Sequence, residues 1–248
     1  GYTPGLHAFS WRGYWDYGTG SLGDMGCHLM DVPIKALGLF DPYSVEASIS
    51  RLPYVRSYTP ADVSSSSVPA SSIVTYRFNP SKLNDSKVKF TWMDGGLRPS
   101  QPDQIKEDIG VGGILIYGEK GIISCNDYGT RAKLYIDGEV VETGQFDGIP
   151  SNSFNHYTSW VEAMVDGYGS DKHKNLNSGF DVAGPISEVV LLGNVAVRSG
   201  LLKRSPRSNV FIGRKRLDYD SKNMVITNFD QAKQFLTREY RKGWELNI

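Results

Sequence analysis

Apolar residues first recur at helical spacing between positions 21 and 39. Leu22, Leu29, Ile34, Ala36 and Leu37 alternate there with small and polar residues, which predicts a helix kinked at Pro33, whose ring removes a backbone donor. From residue 44 the period changes to two, with Val45, Ala47 and Ile49 on one face. Further strands are predicted over 72–78, 87–93, 112–117, 121–126, 133–136 and 140–143. The turn Gly118-Glu119-Lys120-Gly121 and the pair Asp137-Gly138 join neighbouring runs as hairpins. Helical spacing returns over 153–166, through Phe154, Tyr157, Trp160, Val161 and Met164, and over 181–199, through Ile186, Val189, Val190, Leu192 and Val197. Both helices are expected to pack on the sheet. A terminal helix is expected over 228–244, docked by Phe235, Leu236 and Tyr240. The serine-rich stretch 64–67 reads as a surface loop, and the Pro-interrupted stretch 98–102 as a loop long enough to border a site. Helix, then strands, then helices is the order of an α+β fold, and the consecutive turn-linked strands make an antiparallel or mixed sheet. Strand–helix alternation, the mark of a doubly wound sheet, is missing. No repeat or composition shift divides the chain, so 1–248 is taken as one domain led by an aromatic arm over 1–17.

Composition narrows the function classes. A chain of 248 residues with 40% hydrophobic content can bury a sizeable core. Its 27 Lys and Arg balance 27 Asp and Glu, so it lacks the basic field that a phosphate backbone requires, and nucleic acid is not an expected partner. No run approaches the roughly 18 consecutive apolar residues of a membrane helix, so no membrane partner is expected. Cys27 and Cys125 lie far apart without a CxxC spacing, which argues against a metal ribbon or a disulfide scaffold and leaves the compartment open. The chain starts Gly1-Tyr2-Thr3-Pro4, without a basic region or an apolar signal core, and enters its first motif almost at once. We expect a longer protein around it.

Gly18-Thr19-Gly20-Ser21-Leu22-Gly23 matches G-x-G-x-x-G, and Glu46 follows at about the distance of a ribose-binding acid. A dinucleotide site needs a buried parallel strand directly before the glycines. Residues 7–17 supply Trp11, Arg12, Tyr14, Trp15 and Asp16 instead. The glycines are read as a tight lead-in to the helix, and no cofactor-binding residue is assigned.

Asp24, His28 and Asp31 follow at spacings that place all three on one helix face. A carboxylate beside an imidazole suits proton transfer to or from a hydroxyl, because imidazole takes up and releases protons near neutral pH. Three other readings stay open. Ser21-x-x-Asp24 resembles a capping box, a lone histidine on a helix is more often structural, and Asp24, His28 and Asp31 are a weak metal set. Trp11, Trp15 and Tyr17 serve equally as a sugar-stacking surface or as the packing of an arm.

The run Trp11-Arg12-Gly13-Tyr14-Trp15-Asp16-Tyr17-Gly18-Thr19-Gly20, followed by Gly23-Asp24, His28 and Asp31, resembles the start of the C-terminal domain in a bacterial branch of the Gfo/Idh/MocA oxidoreductases. Four later blocks agree in order: Phe90-Thr91-Trp92-Met93-Asp94-Gly95-Gly96, Gly118-Glu119-Lys120-Gly121, Leu191-Leu192-Gly193-Asn194-Val195-Ala196 with Arg198, and Tyr240-Arg241 with Gly243-Trp244. The resemblance implies a large, mostly antiparallel open sheet with helices on one face and the other face often used for homo-oligomerisation. It implies a substrate-binding domain whose partner, an N-terminal Rossmann domain absent from this chain, binds NAD or NADP. It implies oxidation of a sugar, sugar-derivative or cyclitol hydroxyl, with His28 as acid/base, Asp24 its neighbour, and Arg12, Trp15, Asp31 and His156 as further pocket residues. No metal is implied. The Glu-Lys-Pro motif that carries the family's proton-transfer lysine does not occur in this chain. The isolated chain is therefore expected to be inactive and to bind no cofactor. Two alternatives compete: NAD-assisted glycoside hydrolysis on the same scaffold, and a non-catalytic carbohydrate-binding or assembly module.

Overall fold

The alternating runs Pro42–Ile49 (β1) and Ser72–Phe78 (β2) pair antiparallel, with Ser44 opposite Arg77 and Ile49 opposite Ser72. Val88–Met93 (β3) extends the pair on the far side of β2. These elements belong to a computed structural model that describes residues 10–50, 66–141, 155–208 and 210–245. Alternation sends Val74, Tyr76 and Phe78 into the core and leaves Thr75 and Arg77 on the opposite face. Asp94 closes the β2–β3 pair. Its carboxylate accepts from the Ser72 amide at 2.6 Å, the Ser72 hydroxyl at 3.0 Å and the Trp92 indole at 2.8 Å.

The strands over 114–141 form a sheet of their own. Ile114–Tyr117 (β4), Ile122–Cys125 (β5), Lys133–Ile136 (β6) and Glu139–Val141 (β7) pair antiparallel in chain order around a small core of Ile105, Ile122 and Tyr135. At the β6–β7 turn, Asp137 (φ 50°) and Gly138 (φ 81°) are both left-handed, as a two-residue hairpin of this twist requires. The predicted α+β class and antiparallel pairing thus hold, with the strands divided between two sheets. Two short strands were not legible in the sequence: Leu217–Asp220 (β8) joins β1, and Val225–Ile226 (β9) follows it, giving the order β3-β2-β1-β8-β9. Runs of four and two residues are too short to show a period.

Gly20–Leu29 (α1) and Asp31–Leu37 (α2) occupy the predicted first helix. The break falls at Met30 rather than at Pro33. Pro33 has no amide to offer the Leu29 carbonyl and sits in the first turn of α2, where a missing donor costs least. His156–Asp166 (α3) and Asp171–Lys174 (α4) lead to the long helix Phe180–Ser199 (α5). α5 packs on β1, β2 and α1, burying Val189, Val190, Leu192, Val195, Ala196 and Val197. By length and composition α5 alone among the described helices could cross a membrane. Its apolar stretch is half buried in this fold, and the helix carries Asp181, Glu188 and Arg198, so here it is the core helix.

Two expectations are corrected. The helix over 153–166 does not lie on a sheet with its apolar stripe buried: Tyr157 is 81% exposed, and Trp160, Val161 and Met164 are exposed with it. Its main contact is α4, and only Ala163 is buried. Apolar periodicity reports a sided helix, not what covers the side. The tail is not a helix over 228–244 but a 3-10 segment, Asp230–Phe235, that docks Phe235 and Leu236 on the main core. Tyr240 stays half exposed. Parts of the stretches 64–67, 140–143 and 153–166, together with residues 1–9, lie outside the described residues.

Candidate functional site

The site is assembled on α1 by the arm that precedes it. Trp11–Gly13 forms a 3-10 turn, and the arm is stitched to the segment before β2. The Trp15 amide donates to the Ser66 carbonyl at 2.8 Å, and the Val68 amide to the Gly13 carbonyl at 2.8 Å. The glycine motif serves this folding-back. A Cβ on Gly18 would lie 2.6 Å from the Arg12 Cα, and Gly20, at φ +66°, would meet Val68 at 2.4 Å. The space a pyrophosphate would need is filled by the protein's own chain, and a 3-10 turn stands where the parallel strand should be. Glu46 is held by Arg77 at 2.7 Å, so it is not placed as a ribose ligand. These residues do not fit a dinucleotide.

Folding the arm back brings Arg12 to Asp24. Their side chains form an ion pair at 3.1 Å, each about one-third exposed, in the wall of a shallow cavity of about 310 Å³ that Gly13, Ser21 and Met25 complete. This disposes of the capping reading. Thr19 is the N-cap residue, no side chain caps the helix, and Asp24 lies in its second turn with Arg12 as partner.

The expected Asp24–His28 pair does not form. A guanidinium carries a full charge and several donors in a fork that matches a carboxylate, and here it takes Asp24. His28, one turn further along α1, is exposed, and its ring stands edge-to-face with Tyr128 at 5.7 Å. Asp31 leaves the group as well. The helix break puts it at the head of α2, where Lys35 pairs with it at 3.0 Å and also donates to the Asn177 carbonyl at 3.0 Å. Among the described residues no three His, Cys, Asp or Glu side chains gather to hold a metal.

Trp15 and His156 are placed away from this cavity's wall. Trp15 packs on the main core, its indole N–H is buried without a partner among the described residues, and the Arg198 guanidinium lies 5.3 Å from its ring. Arg198 also faces Phe235 at 4.5 Å. Burial pushes the Arg198 guanidinium below the usual arginine range, partly offset by Asp16. Trp15 therefore fastens the arm, while Trp11 and Tyr17 remain exposed. His156 opens α3, whose N-cap Asn155 accepts from the Thr158 amide at 3.0 Å, and its ring is 5.9 Å from that of Tyr157. The loop over 98–102 turns to the second sheet's side: Arg98 donates to the Gly110 carbonyl, and Gln101 to the carbonyls of Ile105 and Glu107. The sequence reading missed Tyr128. Asn126 and Gly129 mark a turn there, but nothing in the sequence says which helix the turn meets.

The arm, the glycine lead-in, both short helices and β1 are the part of the chain that comparison identifies. Residues 2–50 carry the signature of the C-terminal alpha/beta domain of the Gfo/Idh/MocA oxidoreductase family. The match thus covers the candidate residues on α1 and α2 and ends just after β1. The matched segment is also the one that brings Arg12 onto Asp24. No curated protein matches the chain.

Proposed function

We propose that this chain is the substrate half of a nicotinamide-dependent oxidoreductase acting on a hydroxyl of a sugar, sugar derivative or cyclitol. One observation carries the reading: within the segment that matches an oxidoreductase domain, a solvent-open imidazole stands one helical turn from a charged pair lining a cavity. The Asp24 carboxylate offers acceptors to substrate hydroxyls and the Arg12 guanidinium offers donors, side by side. His28 is positioned to take the proton from the reacting hydroxyl as its carbon is oxidised. NAD or NADP, which supplies the hydride acceptor when bound, is held by another part of the protein in this reading, because the glycine motif here does not fit it. The isolated chain then has no turnover of its own. For assembly, we propose a homo-oligomer formed through the face of the main sheet away from α5, where Lys89 and Thr91 are exposed.

The test uses the full-length protein against a panel of sugars, glycosides and inositols, following nucleotide absorbance and product together. His28→Ala is expected to lower turnover by about 100- to 10,000-fold while nucleotide binding persists. Asp24→Asn is expected to lower kcat/KM by about 10- to 100-fold through the loss of a charged hydrogen bond. Unchanged turnover in His28→Ala would defeat the proposal. Sugar released without net nucleotide reduction would assign NAD-assisted hydrolysis instead, and binding without turnover a non-catalytic module.

A further inference from the structure

His28 lacks the carboxylate partner that its sequence context promised, because Arg12 holds Asp24. An imidazole that moves a proton must still be oriented, since proton transfer falls off steeply once the group leaves hydrogen-bond reach of the reacting atom. The group set against it is Tyr128, with ring centroids 5.7 Å apart and planes at 75°.

The segment that carries Tyr128 is built to hold it still. Asn126 and Thr130 close the β5–β6 connection: the Asn126 amide donates to the Thr130 carbonyl at 3.1 Å, and the Gly129 amide donates to the Asn126 carbonyl at 2.9 Å. The Asn126 side-chain oxygen accepts three more bonds, from the Tyr128 amide at 3.2 Å, the Thr130 amide at 2.9 Å and the Thr130 hydroxyl at 3.0 Å. Gly129, at φ +69°, lies so close to α2 that a Cβ would stand 2.5 Å from Val32 Cγ2. Only glycine combines that backbone with that approach. A turn fixed internally by five hydrogen bonds is thus pressed onto the helix pair that carries His28.

Core filling does not explain the contact. Tyr128 is 67% exposed and His28 is exposed too, so little apolar area leaves water when their rings meet. An edge-to-face ring contact favours one orientation of the imidazole and leaves its rim open to solvent.

We infer that Tyr128 is the positioning residue for His28, so that the site is built jointly by α1 and by a turn of the second sheet. The inference rests on the proposed acid/base role of His28. It gives the second sheet a functional reason to exist beside the main one, and it makes Gly129 a residue the site depends on at a distance.

Two measurements test it. In the first, the ring resonances of His28 are followed by NMR in this chain, assigned with His28→Gln. Tyr128→Leu is expected to displace them as the tyrosine ring current is lost, while Tyr128→Phe keeps them in place. In the second, the full-length protein carrying Tyr128→Leu is expected to lose about 10- to 100-fold in kcat with KM little changed. Tyr128→Phe is expected to retain kcat, and Gly129→Ala to reproduce the loss with Tyr128 intact. Both tyrosine variants keep the fold, because the side chain is mostly exposed, and circular dichroism verifies this. His28 resonances unmoved in Tyr128→Leu would overturn the inference. So would an unchanged kcat in Tyr128→Leu when His28→Ala has abolished turnover, an outcome that leaves the proposed function standing. Full turnover in His28→Ala would instead remove the proposed function and the catalytic consequence of the contact with it.

Discussion

Gly193 lies against the end of Tyr76: a methyl group built on it would stand 2.0 Å from the phenol oxygen and 2.7 Å from Leu22 Cδ2. The glycine lets α5 approach β2 and α1 at once, in the middle of the main core. Tyr76 is fully buried and its hydroxyl has no partner among the described residues, and burial holds that phenol far above the usual tyrosine range.

Two substitutions follow from that contact. Gly193→Ala is expected to destabilise the fold by about 1–3 kcal/mol through overpacking, despite alanine's better helix propensity. Tyr76→Phe removes the unpartnered hydroxyl and is expected to be neutral or stabilising by about 1 kcal/mol. Because Tyr76 and Gly193 share one contact, the double variant should recover part of the Gly193→Ala loss, read as a coupling energy in denaturant titrations. Simple additivity would show that the phenol oxygen is not what the new methyl meets.

Arg198 fastens the arm from the far end of α5, between the Trp15 and Phe235 rings. Each cation–π contact is worth about 0.5–2 kcal/mol. Arg198→Lys is not conservative here, since a compact ammonium cannot lie flat against two rings. Either Arg198→Lys or Arg198→Ala should speed amide exchange at Trp15 and change its fluorescence. Exchange at Val189, deep in the core, should change less. Equal acceleration at both positions would mean that Arg198 supports the whole fold rather than the arm.

A pH-dependent clamp joins residues 105–109 to the second sheet. The Lys133 ammonium donates to Glu107 at 2.7 Å, and the Tyr135 phenol donates to the same carboxylate. Those bonds, Lys133 first, hold the Glu107 carboxyl below its ordinary 4.5, and Glu107 holds the Lys133 ammonium above its ordinary 10.5. A lowered carboxyl contributes stability above pH 4.5 that is lost as pH falls through its folded value. A raised ammonium contributes below pH 10.5 and loses it as pH rises through its own folded value. The clamp is therefore whole across neutral pH and opens at both extremes. Amide exchange over 105–109 should quicken as pH falls below 4.5, after correction for intrinsic rates, and Glu107→Gln should abolish that acid step. Identical acid profiles for the two proteins would refute the clamp.

Much of this could be read along the chain. The strands at 72–78 and 133–136 and the helix at 181–199 were legible because each alternates or repeats over a length set by its own burial. Two of the four later blocks hold structural fastenings: Asp94 ties Ser72 to Trp92, Gly193 admits Tyr76, and Arg198 holds Trp15. Such residues look like site residues in a sequence, because polar and glycine positions with tight steric demands stand out whatever they serve.

The sequence by itself determined the α+β class, the antiparallel pairing and the position of the Asp24–His28 helix, since these depend on local period and on residues a few places apart. Tertiary structure alone decided that Arg12 takes Asp24, that Asp31 goes to Lys35, that Tyr128 meets His28 and that the apolar stripe of α3 is left uncovered. Those outcomes depend on which groups from distant segments compete for one partner, and side-chain spacing along the chain carries no record of that competition.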